Sequence, residues 1–312
     1  MRRCPLTYEP LGGGERGAYS GPGLRRLSRR LERLEDLPFS ARELRREAMA
    51  RAAKMSIQGV QPKLSARLAV SKGRFEIVDR GGVFILKPQN GVYPNLPENE
   101  DLTMRLAGLV GIETPLHGLV YGRDGSLVYF VRRFDRLSRK GKLAVEDFAQ
   151  LGGRTRATKY DASMEQVVAI IDRFATFPMV EHFELFLRTI FCWLTGNEDM
   201  HLKNFSLITR AGKVTLAPAY DLVNTSIVLD EPREEMALPL RGKKNHLRRE
   251  DLLDYFGRER LGLPAAALDA ALERLSAGAS GWEELIERSF LPASLQRDYL
   301  ALVRDRRARL GL

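Results

Sequence analysis

One segment of the sequence, residues 196–204, concentrates residues whose types and spacing could carry out chemistry. Asp199 is followed five residues later by Asn204, and Asp221 lies beyond a short predicted hairpin. Phosphoryl transfer needs a carboxylate that accepts or orients the proton of the attacking hydroxyl, and oxygen ligands for Mg²⁺. In protein kinases the catalytic Asp also precedes a metal-binding Asn by five residues. The spacing therefore predicts a phosphotransferase, with Asp199 as base and with Asn204 and Asp221 as metal ligands.

The first part of the sequence supplies residues suited to holding nucleotide phosphates. The loop 56–63 precedes the first predicted strand, and its backbone N–H groups could surround phosphate oxygens. Lys87 ends a predicted strand, as the phosphate-binding Lys of kinases does, and Glu100 lies near the start of the next helix, where it can pair with that Lys. These elements follow the chain order found in kinases. The candidate nucleotide-binding residues here are Ser56, Ile57, Gln58, Gly59, Val60, Lys63, Lys87 and Glu100.

Several of these residues also have purely structural interpretations. Asp and Asn are common in turns, and a loop Ser is often a cap. His201 either orients the loop backbone or is a structural histidine, while Lys203 either offsets phosphate charge or is an exposed lysine. Glu100 and Lys63 are also candidates for solvated surface charges. The combination of residues, in kinase order, favours the catalytic interpretation.

The elements that must position the phosphate-binding residues follow from hydrophobic periodicity. Residues 1–22 are rich in Gly and Pro and predict an irregular arm. Leucines at three- and four-residue steps predict a helix over 23–35, and a capping box of Ser40 and Glu43 begins a second helix that continues to about residue 54. An antiparallel meander is predicted next, with a later helix and two further strands. The predicted strands are 64–70, 74–79, 83–87, 116–121 and 127–134, and the intervening helix is 98–108.

The second half of the sequence is mainly helical in pattern. Residues 178–195 are apolar almost all round, which predicts a core helix leading directly into the segment of Asp199. A small strand pair is predicted at 205–209 and 213–217, and helices fill most of 249–309. Strands followed by helices indicate an α+β protein. We expect a first lobe at 1–135 and a second, helical lobe at 136–312.

Composition and charge exclude several classes of protein. The chain has 312 residues, of which 44% are hydrophobic and 29% charged, which is typical of a globular protein and not of a disordered one. The two cysteines are far apart, which excludes a disulfide framework or a zinc site. No apolar run approaches the ~20 residues of a membrane span, and no signal-peptide pattern is present. We expect a cytoplasmic protein without a membrane partner.

The net charge of +10 leaves a nucleic-acid partner open. Much of the Arg lies between residues 25 and 51, where it is also the expected solvated side of leucine-striped helices. A basic module that binds nucleic acid without catalysis is therefore an alternative hypothesis. A small-molecule or lipid kinase is another, because the phosphotransfer residues alone do not select the acceptor.

At these residues the sequence resembles the HipA-like serine/threonine kinases of bacterial toxin–antitoxin systems. The resemblance covers residues 55–225 and implies a two-lobed protein-kinase-like (HipA-like) fold, with a mixed N-lobe built on an antiparallel sheet and a mainly α-helical C-lobe. The matching motifs are Ser-Ile-x-Gly-x-Gln-x-Lys at 56–63, Leu-Lys-Pro at 86–88, Asn-Glu at 99–100, Arg-Phe-Asp-Arg at 133–136, Gly-Asn-x-Asp-x-His-x-Lys-Asn-Phe-Ser at 196–206 and Tyr-Asp-Leu at 220–222.

The resemblance implies ATP and Mg²⁺ as cofactors and assigns roles within the motifs. Asp199 is implied as the base, Asn204 and Asp221 as Mg²⁺ ligands, and Lys87 as the phosphate-binding lysine, with His201 and Lys203 beside them. Phe134 is implied near the nucleotide. Ser56 is implied as an autophosphorylation site, and Gln58 stands where the short branch of the family often has a second Ser.

The resemblance also implies partners and a biological setting. The chain is similar to the short HipT-type branch, in which the first N-terminal subdomain is replaced by a separate small HipS-like companion protein. The implied partners are that companion, a helix-turn-helix antitoxin, and a protein substrate, which we expect to be an aminoacyl-tRNA synthetase whose phosphorylation arrests growth. Contact with DNA is expected only through the antitoxin.

Overall fold

The computed structural model describes residues 2–12, 17–51, 61–137, 141–155, 157–229 and 234–312. The chain divides into two compact units. Unit 1 comprises Met1–Leu102, Pro115–Lys142 and Glu287–Leu291. Unit 2 comprises Thr103–Thr114, Leu143–Ile286 and Pro292–Leu312.

Unit 1 is built on a five-stranded antiparallel sheet with the order β2-β1-β3-β5-β4. The strands are β1 (Leu64–Ala69), β2 (Arg74–Ile77), β3 (Phe84–Lys87), β4 (His117–Tyr121) and β5 (Leu127–Arg132). The prediction of antiparallel strands is confirmed, but the predicted meander order is wrong, because β1 pairs with both β2 and β3. The connection after β2 passes against β1, where Gly82 allows close approach: a Cβ there would lie 2.0 Å from Ser65 Oγ.

Two helices of unit 1 precede this sheet, α1 (Gly21–Leu27) and α2 (Ala41–Arg51). The predicted helix over 23–35 is wrong beyond Leu27, because Ser28 is extended and the backbone N–H of Glu35 instead donates to Gly73 O at 2.7 Å. Leu24, Leu31 and Leu34 are nevertheless buried in the core of the unit, and partly buried Leu27 packs against it. The capping box of α2 is confirmed: Ser40 N–H donates to Glu43 Oε2 at 2.8 Å, and Glu43 N–H donates to Ser40 Oγ at 3.3 Å.

Helix α3 (Leu96–Leu109) contributes its residues up to Leu102 to unit 1 and the remainder to unit 2. Its first two turns bury an unusual number of polar side chains for a helix, namely Glu98, Asn99, Glu100, Asp101 and Thr103. Buried polar groups are costly unless they are paired, so these side chains indicate specific partners.

Unit 2 is mainly helical and contains a second, three-stranded antiparallel sheet with the order β6-β7-β8. Its strands are β6 (Val145–Asp147), β7 (Ser206–Arg210) and β8 (Lys213–Leu216), and its helices are α4 (Phe148–Leu151), α5 (Met164–Phe174), α6 (Pro178–Leu194), a π-helical segment (Asp251–Arg260), α7 (Ala265–Ala279), α8 (Trp282–Glu287) and α9 (Ala293–Leu310). The predicted core helix is confirmed as α6, which is buried on every side from Leu185 to Leu194. The predicted strand pair is confirmed as β7 and β8, whereas the three-residue β6 was not predicted.

Among the residues that the structure describes, no helix is both long enough and apolar enough to cross a membrane. Cys4 and Cys192 are both free and buried.

Candidate active site

The segment of Asp199 begins at Gly196, which follows the C-cap residue Thr195 of helix α6 and has a left-handed backbone (φ +72°). A Cβ at this position would lie 2.6 Å from Asn224 Oδ1 and 2.9 Å from Ser226 Oγ, so glycine is required for both conformation and space. The carbonyl of Gly196 accepts the backbone N–H of Thr225 at 2.9 Å. The chain after Asp221 is thereby tied to the start of the Asp199 segment.

Hydrogen bonds fix the backbone of Asp199 on both sides. Its N–H donates to Asn197 Oδ1 at 3.0 Å. Its carbonyl accepts the N–H of His201 and the Nδ2 of Asn204, each at 2.8 Å. The carboxylate itself is 52% exposed. A rigid backbone therefore presents an accessible carboxylate, as a general base requires.

Two residues that sequence reasoning missed, Lys159 and Tyr160, contact this segment. The hydroxyl of Tyr160 donates to Asp199 Oδ1. Burial, and next this hydrogen bond, raises the pKa of Tyr160, so the phenol remains a donor at neutral pH. Lys159 Nζ lies 2.5 Å from His201 Nε2, and the ring of Tyr160 packs edge-on against the imidazole at 4.9 Å. The adjacent pair thus contacts both Asp199 and His201.

His201 is buried, and its environment favours the neutral imidazole. Burial lowers its pKa, and the ammonium of Lys159 acts in the same direction. The carboxylates of Asp199 and Asp221 oppose that shift, so both act on the same ring. With the Lys159 ammonium as donor, Nε2 accepts and the proton of the neutral ring resides on Nδ1. His201 is therefore suited to orienting the loop and not to carrying charge.

Lys203 donates to a carboxylate that sequence reasoning did not select. Its Nζ lies 2.8 Å from Asp147 Oδ2. Asp147 also caps helix α4 by accepting the N–H of Gln150 at 2.9 Å. Lys203 therefore ties the Asp199 segment to the start of α4.

Asp221 occupies a left-handed backbone conformation (φ +54°), which is uncommon for a residue with a side chain and is concentrated at functional sites. Its neighbour Tyr220 anchors it: the phenol donates to the Lys203 carbonyl at 2.9 Å and lies 2.6 Å from Ser206 Oγ. Buried Arg188 donates to the Ala217 carbonyl at 2.9 Å and fixes the start of the same loop.

Asn204 and Asp221 each offer an oxygen donor of the kind that a hard divalent cation takes. Asn204 uses Nδ2 as a hydrogen-bond donor to the Asp199 carbonyl, which leaves its Oδ1 available as an acceptor or cation ligand. Amide and carboxylate oxygens are the ligands that Mg²⁺ prefers, and Mg²⁺ in nucleotide sites takes few protein ligands, with phosphates and waters completing the shell. No cluster of three or more His, Cys, Asp or Glu suited to a metal occurs in the described ranges.

In unit 1, Lys87 and Glu100 form a buried ion pair. Lys87 Nζ lies 2.6 Å from Glu100 Oε1, and the two side chains are 4% and 1% exposed. Lys87 Nζ also lies 5.6 Å from the centre of the Tyr129 ring on the neighbouring strand β5. The pairing of a strand lysine with a helix glutamate is the arrangement that protein kinases use to hold phosphates. The alternative interpretation of Glu100 as a solvated surface charge is wrong, since its side chain is buried.

The remaining sequence candidates are less informative. Lys63 directly precedes β1 and Phe134 follows β5, and both are half-buried. Arg133 beside Phe134 forms a two-point ion pair with Asp135, at 2.9 and 2.8 Å. The loop candidates Ser56, Ile57, Gln58, Gly59 and Val60 lie outside the described residues.

The fold and these two groups of residues define a HipA-like protein. The profile of the family described as "HipA-like C-terminal domain" matches residues 55–282, and the chain belongs to this family. A candidate kinase of Haemophilus influenzae is 34% identical to the chain over 242 residues, which are 72% of this chain and 69% of that protein. The Shewanella oneidensis serine/threonine-protein kinase toxin HipA is 27% identical over 245 residues, which are 72% of this chain and 55% of that toxin. The chain thus spans roughly half to two thirds of the length of these relatives.

A solved structure shows the same fold. A chain of the Shewanella oneidensis complex of HipA, HipB and operator DNA matches with a TM-score of 0.68 at 23% identity, over 90% of this chain and 74% of that one. The predicted fold class, α+β and HipA-like with an antiparallel sheet in one unit and helices dominating the other, is confirmed.

Proposed function

We propose that this chain is an ATP- and Mg²⁺-dependent protein serine/threonine kinase that acts as the toxin of a toxin–antitoxin system. The observation that carries the proposal is the arrangement around Asp199. An accessible carboxylate stands on a backbone held by Asn204, five residues on, and a hydroxyl already donates to one of its oxygens. That contact is the kind that an acceptor serine or threonine would make with a base.

In this proposal each residue has a defined role. Asp199 accepts or orients the proton of the acceptor hydroxyl, and Tyr160 and Asn204 hold Asp199 in position. Glu100 keeps the ammonium of Lys87 oriented towards nucleotide phosphates. Asn204 and Asp221 supply oxygen ligands for Mg²⁺. When bound, Mg²⁺ with ATP would supply the phosphoryl donor and offset the negative charge that develops during transfer.

We also infer regulation by autophosphorylation at Ser56. The support is the family motif at residues 56–63, with Gln58 replacing the second Ser of the short branch. A phosphate on Ser56 would add about two negative charges to a loop that is assigned to bind ATP phosphates. Like-charge repulsion then lowers nucleotide affinity and limits the toxin.

The physiological target and partners in this proposal come from the family. We propose an aminoacyl-tRNA synthetase as the substrate, a helix-turn-helix antitoxin as the inhibitor, and a small HipS-like companion of the HipT-type branch. The toxin name of the Shewanella relative and the presence of HipB and operator DNA beside HipA in the solved complex support the antitoxin partner. The synthetase and the companion rest on the family resemblance of the motifs alone.

Intact-mass analysis and peptide mapping after incubation with ATP and Mg²⁺ test the activity. Wild type, Asp199→Asn and Ser56→Ala are compared, with Asp161→Asn as a control that alters an exposed carboxylate of the same unit. Wild type and control should carry phosphate on Ser56, and Asp199→Asn should carry none. Ser56→Ala should still phosphorylate proteins in a lysate. Purified aminoacyl-tRNA synthetases are then tested one by one as acceptors. Absence of both self and lysate phosphorylation would sink the kinase proposal, whereas transfer only to small molecules or lipids would favour the alternative kinase class.

The toxin assignment has a separate test in cells. Induced expression of wild type should arrest growth, and Asp199→Asn should not. Co-expression of a helix-turn-helix antitoxin of the proposed kind should restore growth. Arrest by Asp199→Asn equal to that by wild type would separate toxicity from phosphoryl transfer and contradict this part of the proposal.

A further inference from the structure

A groove lies in unit 2 beside the Asp199 segment. Its volume is about 470 Å³, within the range of ligand sites, which is about 300–1,000 Å³. Its wall includes Leu202, the third residue after Asp199, whose backbone N–H donates to the Lys159 carbonyl at 3.4 Å. The other lining residues come from the end of α4 and from α5: Leu151, Gly152, Gly153, Arg154, Gln166, Ala169, Ile170, Arg173 and Phe174. The groove therefore borders the segment that carries the candidate base, through Leu202.

The backbone at the end of α4 keeps part of this groove open. Gly153 has a left-handed backbone (φ +65°), and a Cβ placed on it would meet nothing within 4 Å. The backbone N–H of Arg154 donates to the Ala149 carbonyl at 2.6 Å. This hydrogen bond fixes the position of the Arg154 backbone, from which the side chain extends. The groove therefore has the exposed backbone of Gly153 beside the cationic side chain of Arg154.

Two arginines give the groove its charge. Arg154 and Arg173 are both exposed, and neither forms an ion pair with a carboxylate within the described part of the chain. The guanidinium of Arg173 lies over the ring of Phe174 at 4.9 Å, which limits its movement. The exposed carboxylate of Asp172 on the same helix lies 2.9 Å from His182 Nε2. Elsewhere in unit 2, exposed arginines such as Arg258 have their own acidic partners.

Apolar and cationic surfaces occur together in this groove. Leu151, Ile170 and Phe174 contribute apolar surface, and the two arginines contribute positive charge. A nucleic-acid backbone matches the charge but offers nothing for the apolar side chains. An extended polypeptide with carboxylates and one apolar side chain matches both features, since arginine pairs well with carboxylates.

We propose that this groove is the docking site for an acidic segment of the acceptor protein, with an apolar side chain against Ile170 and Phe174 and carboxylates on Arg154 and Arg173. The inference rests on the proposed kinase function and deepens it, because it names the acceptor class: a serine or threonine flanked by acidic residues. Docking beside Asp199 raises the local concentration of the acceptor hydroxyl at the base.

Fluorescence anisotropy with synthetic peptides tests docking without ATP. One labelled peptide has a serine flanked by Glu, Asp and Leu, and its counterpart has Lys in place of the acidic residues. The test variant is Arg154→Ala/Arg173→Ala. The matched control is Arg260→Ala/Arg297→Ala, which removes the same charge from exposed positions of the same unit. At about 150 mM salt, where the Debye length is about 8 Å, distant charges are largely screened.

The acidic peptide should bind wild type and control with affinities within about twofold of each other. The groove variant lacks the two proposed ion pairs between peptide carboxylates and Arg154 and Arg173. The acidic peptide should therefore bind it about fivefold more weakly, or weaker still. The Lys peptide should bind none of the proteins. Equal loss in both double variants, or no preference for the acidic peptide, would overturn the proposal. Selective loss of single-stranded oligonucleotide binding in the groove variant, with peptide binding unchanged, would assign the groove to nucleic acid instead.

A kinetic measurement separates this proposal from the proposed function. With the acidic peptide as acceptor, the groove variant should raise the KM for peptide and leave the KM for ATP unchanged. Transfer to lysate proteins without any groove-dependent peptide binding would overturn the docking proposal alone. Groove-dependent binding of the acidic peptide, without phosphate transfer by any version of the protein, would contradict the proposed kinase function and leave only a binding site for acidic peptides.

Discussion

The hydroxyl of Tyr160 shows how one side chain outside the recognised motif can set the geometry of Asp199. It donates to Oδ1, so one carboxylate oxygen is held and the carboxylate cannot rotate freely. Because a base misplaced by a fraction of an ångström loses much of its effect, this hydrogen bond should contribute to turnover more than to nucleotide binding.

Tyr160→Phe should therefore lower kcat about tenfold and leave the KM for ATP nearly unchanged. The matched control is Tyr255→Phe, which removes a comparable bond from a phenol to Glu165 Oε1 at 2.9 Å. Steady-state phosphorylation of a peptide or synthetase substrate measures both constants. Equal effects of the two substitutions would argue against a positioning role for Tyr160.

The buried ion pair of Lys87 and Glu100 makes a prediction about stability. Removing one partner of a buried pair leaves an uncompensated charge, so Glu100→Gln should lower the free energy of unfolding by about 3–5 kcal/mol. Lys87→Met/Glu100→Leu should recover most of that loss, although it should abolish phosphoryl transfer. Lys72→Met, at a 57% exposed lysine paired with Glu76, serves as a control and should cost only about 0–1 kcal/mol. Urea unfolding of the four proteins measures these differences.

Sequence reasoning selected the candidate residues that are related by short spacing and missed those related only by folding. Asp199 and Asn204 are five residues apart, so a local motif contains both. Tyr160 and Lys159 lie 39 and 42 residues from the residues they contact, and neither carries a distinctive spacing. Their proximity depends on how the chain after α4 returns to the loop, which no local pattern encodes.

At the scale of elements, local signals were reliable where a cap or a continuous apolar surface defined the element. The capping box of α2 and the apolar helix α6 are examples. The stripe Leu24, Leu27, Leu31 and Leu34 was misleading. Its leucines have helical spacing, but the helix ends at Leu27, and Leu31 and Leu34 are buried without one. Backbone pairing of residues 35–37 with other segments of unit 1 replaced the helical hydrogen bonds there. Strand β6 was missed because three residues are too few to show alternation.

Helix α3 carries a pH-sensitive carboxyl in its first turn. Burial raises the pKa of Glu98 from 4.5 to about 7, although the side chain accepts two hydrogen bonds from Gln89. Because the folded pKa is raised, protonated Glu98 favours the folded state fully below pH 4.5, and this contribution is lost as the pH rises through about 7. Glu98→Gln should therefore be more stable than wild type at about pH 8, by up to about 3 kcal/mol, and nearly equal to it at about pH 4.

Thermal or urea unfolding of wild type and variant across this pH range measures the difference, and Glu43→Gln provides an opposite control. Hydrogen bonds from Ser40 lower the pKa of Glu43, so its stabilising contribution is present above pH 4.5 and is lost as the pH falls. The two variants should thus deviate from wild type in opposite directions at neutral pH. A pH-independent difference for Glu98→Gln would contradict the burial of an ionisable carboxyl at this position.

At the scale of the whole molecule, the net charge of +10 does not by itself indicate a nucleic-acid protein. Many arginines stabilise the fold: Arg306 is buried against Trp193, and Arg309 pairs with Glu235 at 2.7 Å. The remaining positive charge should produce weak binding to nucleic acid that falls steeply with salt and is the same in Asp199→Asn.

Ligand-linked stability of the whole chain offers a test of cofactor binding that is independent of any acceptor. A ligand that binds only the folded protein stabilises it by about 2.7 kcal/mol at a hundredfold excess over its Kd, equivalent to about 4 °C in Tm for a chain of 312 residues. ATP with Mg²⁺ should raise the Tm of wild type by this amount, and chelation of Mg²⁺ with EDTA should remove most of the increase. Asn204→Ala and Asp221→Asn should lose the Mg²⁺-dependent part, because each removes an oxygen ligand, whereas Asp161→Asn should retain it. An identical increase with and without Mg²⁺ in all four proteins would show that Asn204 and Asp221 hold no metal, and the phosphotransfer role would then have to be assigned to other residues.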